Sequence, residues 1–271
     1  MPNIHISNVD NNPAMCFDTG LDPRSFARTK MSQSLIEQGF VVNPDGSHEI
    51  WRASGVNETD GSMRVFGPVF PGKRLDILLK NDNLLQNTQQ ASKQDALQAV
   101  VSWMKAKLYL GDKRSALNPG ASFVSQSGGV FFAPEYLSNR CLYVEGFQLD
   151  RYNCPDLIDT DITAFCAAVM LYEIFAGFHP YPSAEIYQDM REGVFIPMHL
   201  AAPDLDSKLS GIIQSALNLP VSKKKKEKTK SGIDILTSLL EILVNKGNAV
   251  AEFTSLFKEL PAEKKEQIEK E

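Results

Sequence analysis

Between Leu117 and Tyr136 the chain reads LNPGASFVSQSGGVFFAPEY, and this stretch restricts the possible folds more than any other. Ser127-Gly128-Gly129 supplies a hairpin turn and Val130-Phe131-Phe132 an apolar returning strand, after which Ala133-Pro134-Glu135 follows directly. Before this stretch, short alternating segments read as strands. After it, apolar residues recur at helical spacing. The pattern predicts an α+β chain with its strands early and its helices late.

On the early side, residues 1 to 29 are rich in Asn, Asp and Pro, with only brief apolar spells at Ile4-His5-Ile6 and Met15-Cys16-Phe17. His48–Ala53 and Ser62–Phe66 alternate as strands do, and Asp45-Gly46 and Asp60-Gly61 mark turns. A first long helix is capped by Ser92 with Asp95. Its stripe of Leu97, Val100, Met104 and Leu108 ends at Gly111, and Trp103 and Met104 are core residues. On the late side, Asp159-Thr160-Asp161 precedes ITAFCAAVMLYEIFAG, which is apolar nearly all round and therefore predicts an interior helix. Leu205, Leu209, Ile212, Ile213, Ala216 and Leu217 mark the next. Ser231 and Asp234 cap another, with Ile235, Leu236, Leu239, Ile242 and Leu243 on its stripe. Between these two, six lysines in the eight residues Lys223–Lys230 predict a solvated, flexible loop. Val250, Phe253, Phe257 and Leu260 give a last amphipathic stripe before a charged tail.

Composition excludes several classes of function. Cys16, Cys141, Cys154 and Cys166 show no paired spacing, and there are only four histidines, which argues for a reducing compartment and against a zinc site. A formal charge of -5 offers no general attraction to nucleic acid or anionic membrane. The first residues carry neither a basic nor an apolar leader segment, and the most apolar run, Ala164–Ala176, is interrupted by Glu173 and too short to span a bilayer. A cytoplasmic protein without membrane or nucleic-acid partners is expected.

The organising stretch resembles the catalytic segment of protein kinases, in particular bacterial Ser/Thr kinases, with the chemistry removed. In that family an H-R-D-L-K-P-x-N loop is followed by a hairpin, D-F-G and A-P-E. Here Leu117-Asn118-Pro119 stands where L-K-P would, and Arg114-Ser115-Ala116 replaces H-R-D. Ala121 replaces the metal-holding asparagine and Pro134 the D-F-G aspartate. The string PGKRLDILLK from Pro71 is similar to the family's hinge and following helix, and Leu171-Tyr172-Glu173 to the end of its central helix. No G-x-G-x-x-G occurs, and Lys30 and Glu37 stand too close together to serve as the lysine–glutamate pair. The register places Thr163 where the family has the aspartate that anchors the catalytic loop, with Asp161 two residues early, and it leaves Glu135 without its usual arginine.

The resemblance implies a two-lobe, kinase-like α+β fold: a reduced β N-lobe over 1–70, a mainly helical C-lobe over 71–247, and a C-terminal helix and charged tail over 248–271. It also implies a pseudokinase with no catalytic residue, no cofactor and no metal, since Ala116, Ala121 and Pro134 can neither take a proton nor hold Mg²⁺. Such a domain would act as a scaffold or regulatory module for a protein partner. Val194, Phe195 and Met198, beside the helix expected over Ala184–Glu192, are the candidate docking residues. Apolar side chains are expected to close the cleft at Phe131–Pro134. Three alternatives remain open: a nucleotide sensor binding ATP without Mg²⁺, an enzyme with relocated groups such as Asp112 or Glu135, and an α+β domain of unrelated function.

Overall fold

The structure is a computed structural model that describes residues 2–29, 38–80, 93–111, 113, 115–225 and 230–244. The expectations for Lys30, Glu37, Ser92, Asp112, Arg114 and residues 248–271 lie outside the described residues.

The first third of the chain is richer in strands than its polar composition announces. β1 (Ile4–Val9) and β2 (Asn12–Asp18) form a hairpin, followed by a short helix α1 (Pro23–Arg28). The hairpin turn needs two left-handed residues, and Asp10 (φ 50°) and Asn11 (φ 65°) supply them with short polar side chains that tolerate this region. Met15, Cys16 and Phe17, expected as a brief apolar spell, are fully buried in β2. β3 (Gly39–Val42), β4 (His48–Trp51), β5 (Gly55–Thr59) and β6 (Ser62–Gly67) come next. Asp60-Gly61 makes the β5–β6 turn as expected, while β5 itself, GVNET, was not expected as a strand. Consequently the segments at His48 and Ser62 are not successive neighbours, for they lie in different sheets.

One sheet has the antiparallel order β1-β2-β6-β5. The other gathers strands from both sides of the expected boundary at residue 70. After β7 (Lys73–Arg74), α2 (Leu75–Leu79) and α3 (Lys93–Leu110), the hairpin β8 (Ser122–Val124) and β9 (Val130–Phe132) completes the order β4-β3-β9-β8-β7. Phe40 faces Phe132 and Val42 faces Val130 across the β3–β9 pair. Strands 90 residues apart therefore share one ladder.

The helical part follows at once. α4 (Glu135–Val144) begins two residues after β9, so Ala133-Pro134 is the whole connection. α5 (Asp159–Ala176) has every residue from Ala164 to Tyr172 fully buried, as its apolar circumference predicts, and Gly177 closes it in the left-handed conformation. Around it stand α6 (Ile186–Glu192), α7 (Met198–Ala201), α8 (Ser207–Leu217), α9 (Leu219–Lys224) and α10, covering 232–244. The Ser231–Asp234 cap forms, with Ser231 Oγ donating to Asp234 at 2.7 Å. Gly232 is required by close approach: a Cβ there would sit 2.2 Å from the Thr160 carbonyl oxygen. The expected lysine loop is corrected at its start, because Lys223 and Lys224 form the end of α9 and Lys223 pairs with Asp161 at 2.7 Å.

Candidate functional site

The segment matched to the catalytic loop is held by a lysine that the sequence reading passed over. Lys107, on the inner face of α3, donates to the Ser115 carbonyl at 3.0 Å, the Ser115 hydroxyl at 2.7 Å and the Ala116 carbonyl at 2.7 Å. Its ammonium also faces the rings of Phe132 and Trp103, at 4.5 and 5.3 Å. Burial pushes this amine down to about 7. From α5 the Cys166 thiol donates to the Leu117 carbonyl at 3.3 Å, and burial raises that thiol to about 12. Thr163, the position expected to matter, turns its hydroxyl to Asp159 in its own helix. Asp161 instead accepts from Gly232 N at 2.8 Å and pairs with Lys223, so it secures α10 and α9.

Ala116, Ala121 and Pro134 are all buried, and each contributes main chain. Ala116 offers its carbonyl to Lys107. Ala121 donates to the Asn118 carbonyl and accepts from Ala133 N, both at 2.9 Å. The Pro134 carbonyl accepts from Ser138 N at 2.9 Å as α4 begins. Asn118 Oδ1 accepts from Gly120 N at 2.9 Å, and Trp103 Nε1 donates to Ser122 Oγ at 3.1 Å. Buried polar groups that are paired in this way stabilise one conformation of the loop.

Beyond the loop the space is filled by rings. Phe131 is fully buried, with Trp51, Phe70 and Phe123 at 5.4, 5.8 and 5.9 Å between ring centres. Phe132, fully buried on the opposite face, meets Trp103 at 6.4 Å. β1 and β2 carry no lysine, and Arg64 on β6 is held by Asp18 at 2.6 Å.

Two cavities flank this core. One, of about 450 Å³, lies beside Lys107 and Ser115, with Glu135 and Asp159 on its rim and Leu117 and Leu236 in its wall. Glu135 is exposed and has no ion pair among the described residues. The other, about 440 Å³, is lined by Lys80, Phe147, Arg151, Tyr152 and Glu173. Tyr152 donates to Glu173 at 2.7 Å, yet burial still raises this carboxyl to about 7 against that hydrogen bond and the nearby Arg151 and Lys80. Below it, burial lowers His179 to about 4. Its Nδ1 accepts from Tyr181 N at 3.0 Å, which leaves Nε2 to donate to the Arg151 carbonyl at 3.1 Å. A buried ion network, Arg74 with Asp76 at 2.6 Å and Glu145 at 2.7 Å, ties β7 to the end of α4. Among the described residues, no group of three His, Cys, Asp or Glu is placed to hold a metal ion. Nor is any helix among them long and apolar enough to cross a membrane.

The expected docking residues separate. Val194 is 54% exposed, Phe195 is half-buried with its ring 5.6 Å from that of Tyr181, and Met198 is fully buried. Met198 opens α7 with its amide bonded to Gln214 of α8 at 3.0 Å, which turns the side chain inward and removes it from any surface. Ile196 (50%) and Leu200 (65%) are the exposed apolar neighbours that the sequence reading missed. Alternation around Val194 and Phe195 was the available signal. No protein-family model matches this chain, and no curated protein matches it.

Proposed function

We propose that this chain is a catalytically inactive, protein kinase-like domain that works in the cytoplasm as a scaffold or regulatory module for a protein partner. In this reading β1 to β6 form the reduced strand lobe, α3 to α10 the helical lobe, and the β8–β9 hairpin the remnant of the catalytic segment. The departure is the β3–β9 pairing, which joins the two parts through a common sheet.

The observation that carries the reading is the burial of Phe131 and Phe132 among Trp51, Phe70, Phe123 and Trp103. Phosphoryl transfer needs carboxylates that place Mg²⁺ and a proton acceptor beside the nucleotide. Here the corresponding positions are apolar, closed and committed to main-chain bonds. Function then moves to outer surfaces, and Val194, Ile196 and Leu200 form the apolar surface that supports a protein-binding role.

Incubation of the purified protein with labelled ATP and either Mg²⁺ or Mn²⁺ tests the proposal. The expected result is no label on the protein or on generic substrates. Label that survives repurification and is abolished by Glu135→Gln would overturn it.

A further inference from the structure

The cavity in front of Glu173 gathers polar groups that the fold itself does not use. Three elements meet there: α2 with Lys80 directly after it, the 3-10 turn Leu149–Tyr152, and the C-terminal end of α5. The Arg151 side chain has no ion pair or hydrogen bond among the described residues, and its Nε is buried without a partner. The Lys80 amine reaches only Asp76, at 3.9 Å, and Arg74 already holds that carboxylate at 2.6 Å. A buried donor left unpaired by the protein is a place for an outside acceptor.

Opposite these cations, Glu173 is held in one orientation. Tyr152 donates to its Oε2, and the Tyr152 ring is stacked by Phe147 at 6.2 Å and met edge-on by His179 at 5.8 Å. The other oxygen, Oε1, has no partner among the described residues. Leu79, Phe147 and Phe178 give the cavity an apolar side, and Phe178 is 41% exposed. A concave, partly apolar space with a few converging polar groups suits a small organic molecule.

Charge selects its class. Lys80 and Arg151 are positive, and the Arg74–Asp76–Glu145 network carries one negative charge in excess. Burial raises the Glu173 carboxyl to about 7, so below that pH it is largely neutral and carries a proton to donate. One positive charge is left over, which a monoanion balances. The two oxygens of a carboxylate also match the fork of a guanidinium, whereas an amine would meet two cations.

We propose that this cavity binds a small organic monocarboxylate, whose charged end lies on Arg151 and Lys80 and accepts a hydrogen bond from Glu173 while its apolar body rests against Phe147 and Phe178. Affinity then falls as pH rises through about 7, because an ionised Glu173 repels the ligand. The groups facing Glu173 are Tyr152 and Arg151 from the turn, Lys80 and Asp76 from α2, and Cys166 on α5. Burial moves Cys166 up to about 12 and the neighbouring His179 down to about 4, so neither titrates in this range. The inference stands whether or not the chain is kinase-like.

The test is calorimetric titration of the protein with phenylacetate, phenyl phosphate and phenethylamine at pH 6 and pH 8. Phenylacetate should bind at pH 6 and at least about fivefold more weakly at pH 8, and phenethylamine should not bind. Arg151→Gln and Lys80→Gln should each weaken phenylacetate at pH 6 by at least about fivefold. Neither side chain holds another element in place, so both variants should still unfold cooperatively. Glu173→Gln keeps a donor and cannot titrate, so its affinity should be equal at the two pH values, which separates Glu173 from Lys107, also near 7. No binding of phenylacetate at millimolar concentration would overturn the proposal. So would equal binding of phenethylamine, tighter binding of phenyl phosphate, indifference to Arg151→Gln, or a pH dependence that survives Glu173→Gln.

Discussion

Lys107 and Glu173 stand in the walls of two cavities of similar size, and burial brings both to titration near pH 7 from opposite directions. Their surroundings differ. Lys107 is surrounded by protein oxygens that depend on it, whereas Glu173 has one donor, Tyr152, and a cavity in front of it. Both shifts mark a cost of charging the group in place; at Lys107 three hydrogen bonds from the amine offset that cost, whereas at Glu173 only one does.

The sharpest way to break that contrast is Lys107→Met. It leaves the carbonyls of Ser115 and Ala116 buried without their donor, and a loss of roughly 3–5 kcal/mol is expected in denaturant unfolding. A variant as stable as the parent would mean that the lysine is strained like Glu173. Next in size, Leu171→Ala opens a cavity in α5, the helix that carries both Cys166 and Glu173, and should cost roughly 2–5 kcal/mol. An unchanged melting temperature would remove α5 from the centre of the fold.

Glu173→Gln should act in the opposite direction. The folded carboxyl is raised from an ordinary value of 4.5 to about 7. Its favourable contribution is therefore complete below its unfolded value and is lost as pH rises through about 7. Gln keeps an acceptor for Tyr152, so the variant should gain roughly 2–3 kcal/mol over the parent at pH 8 and little at pH 4, read as a difference between stability curves. Lys107 has the reverse dependence: its contribution is complete above its unfolded value of 10.5 and is lost as pH falls through about 7. A Glu173→Gln gain that is larger at low pH would reverse the assignment. Smallest of all, Val194→Ser and Leu200→Ser should change stability by no more than about 0.5 kcal/mol, whereas the buried Met198→Ala should cost roughly 2–4 kcal/mol.

Local signals in the sequence carried the mixed α+β class, the β8–β9 hairpin, the Asp60-Gly61 turn and the interior helix α5, because each depends on neighbours within a few residues. The β1–β2 hairpin was missed because Asn, Asp and Pro separate its apolar residues, and β5 because its half-buried side carries Gly55, Asn57 and Thr59 while its one apolar residue, Val56, is exposed. The division into two sheets was not legible, since β3 and β9 meet only in the folded chain. At the site, the lack of ionisable side chains at Ala116, Ala121 and Pro134 is plain in the sequence. The anchor of the loop is not. Lys107 looks like any surface lysine between apolar residues until the carbonyls of 115 and 116 are brought over it, and the register pointed to Thr163 rather than to Cys166 one turn further on. Met198 was misjudged because its direction is set by the α7–α8 contact, which has no local signature.

The central proposal is that the loop at 115–121 and the space beside Phe131 and Phe132 are closed to nucleotide. Nucleotide titration followed by thermal unfolding, with ATP alone and with Mg²⁺ or Mn²⁺, tests it most directly, because a ligand that binds only the folded state must raise the unfolding temperature. The account predicts no shift with any combination at millimolar nucleotide. A saturable rise that requires the metal ion and is weakened by substitutions around Phe131 would contradict it.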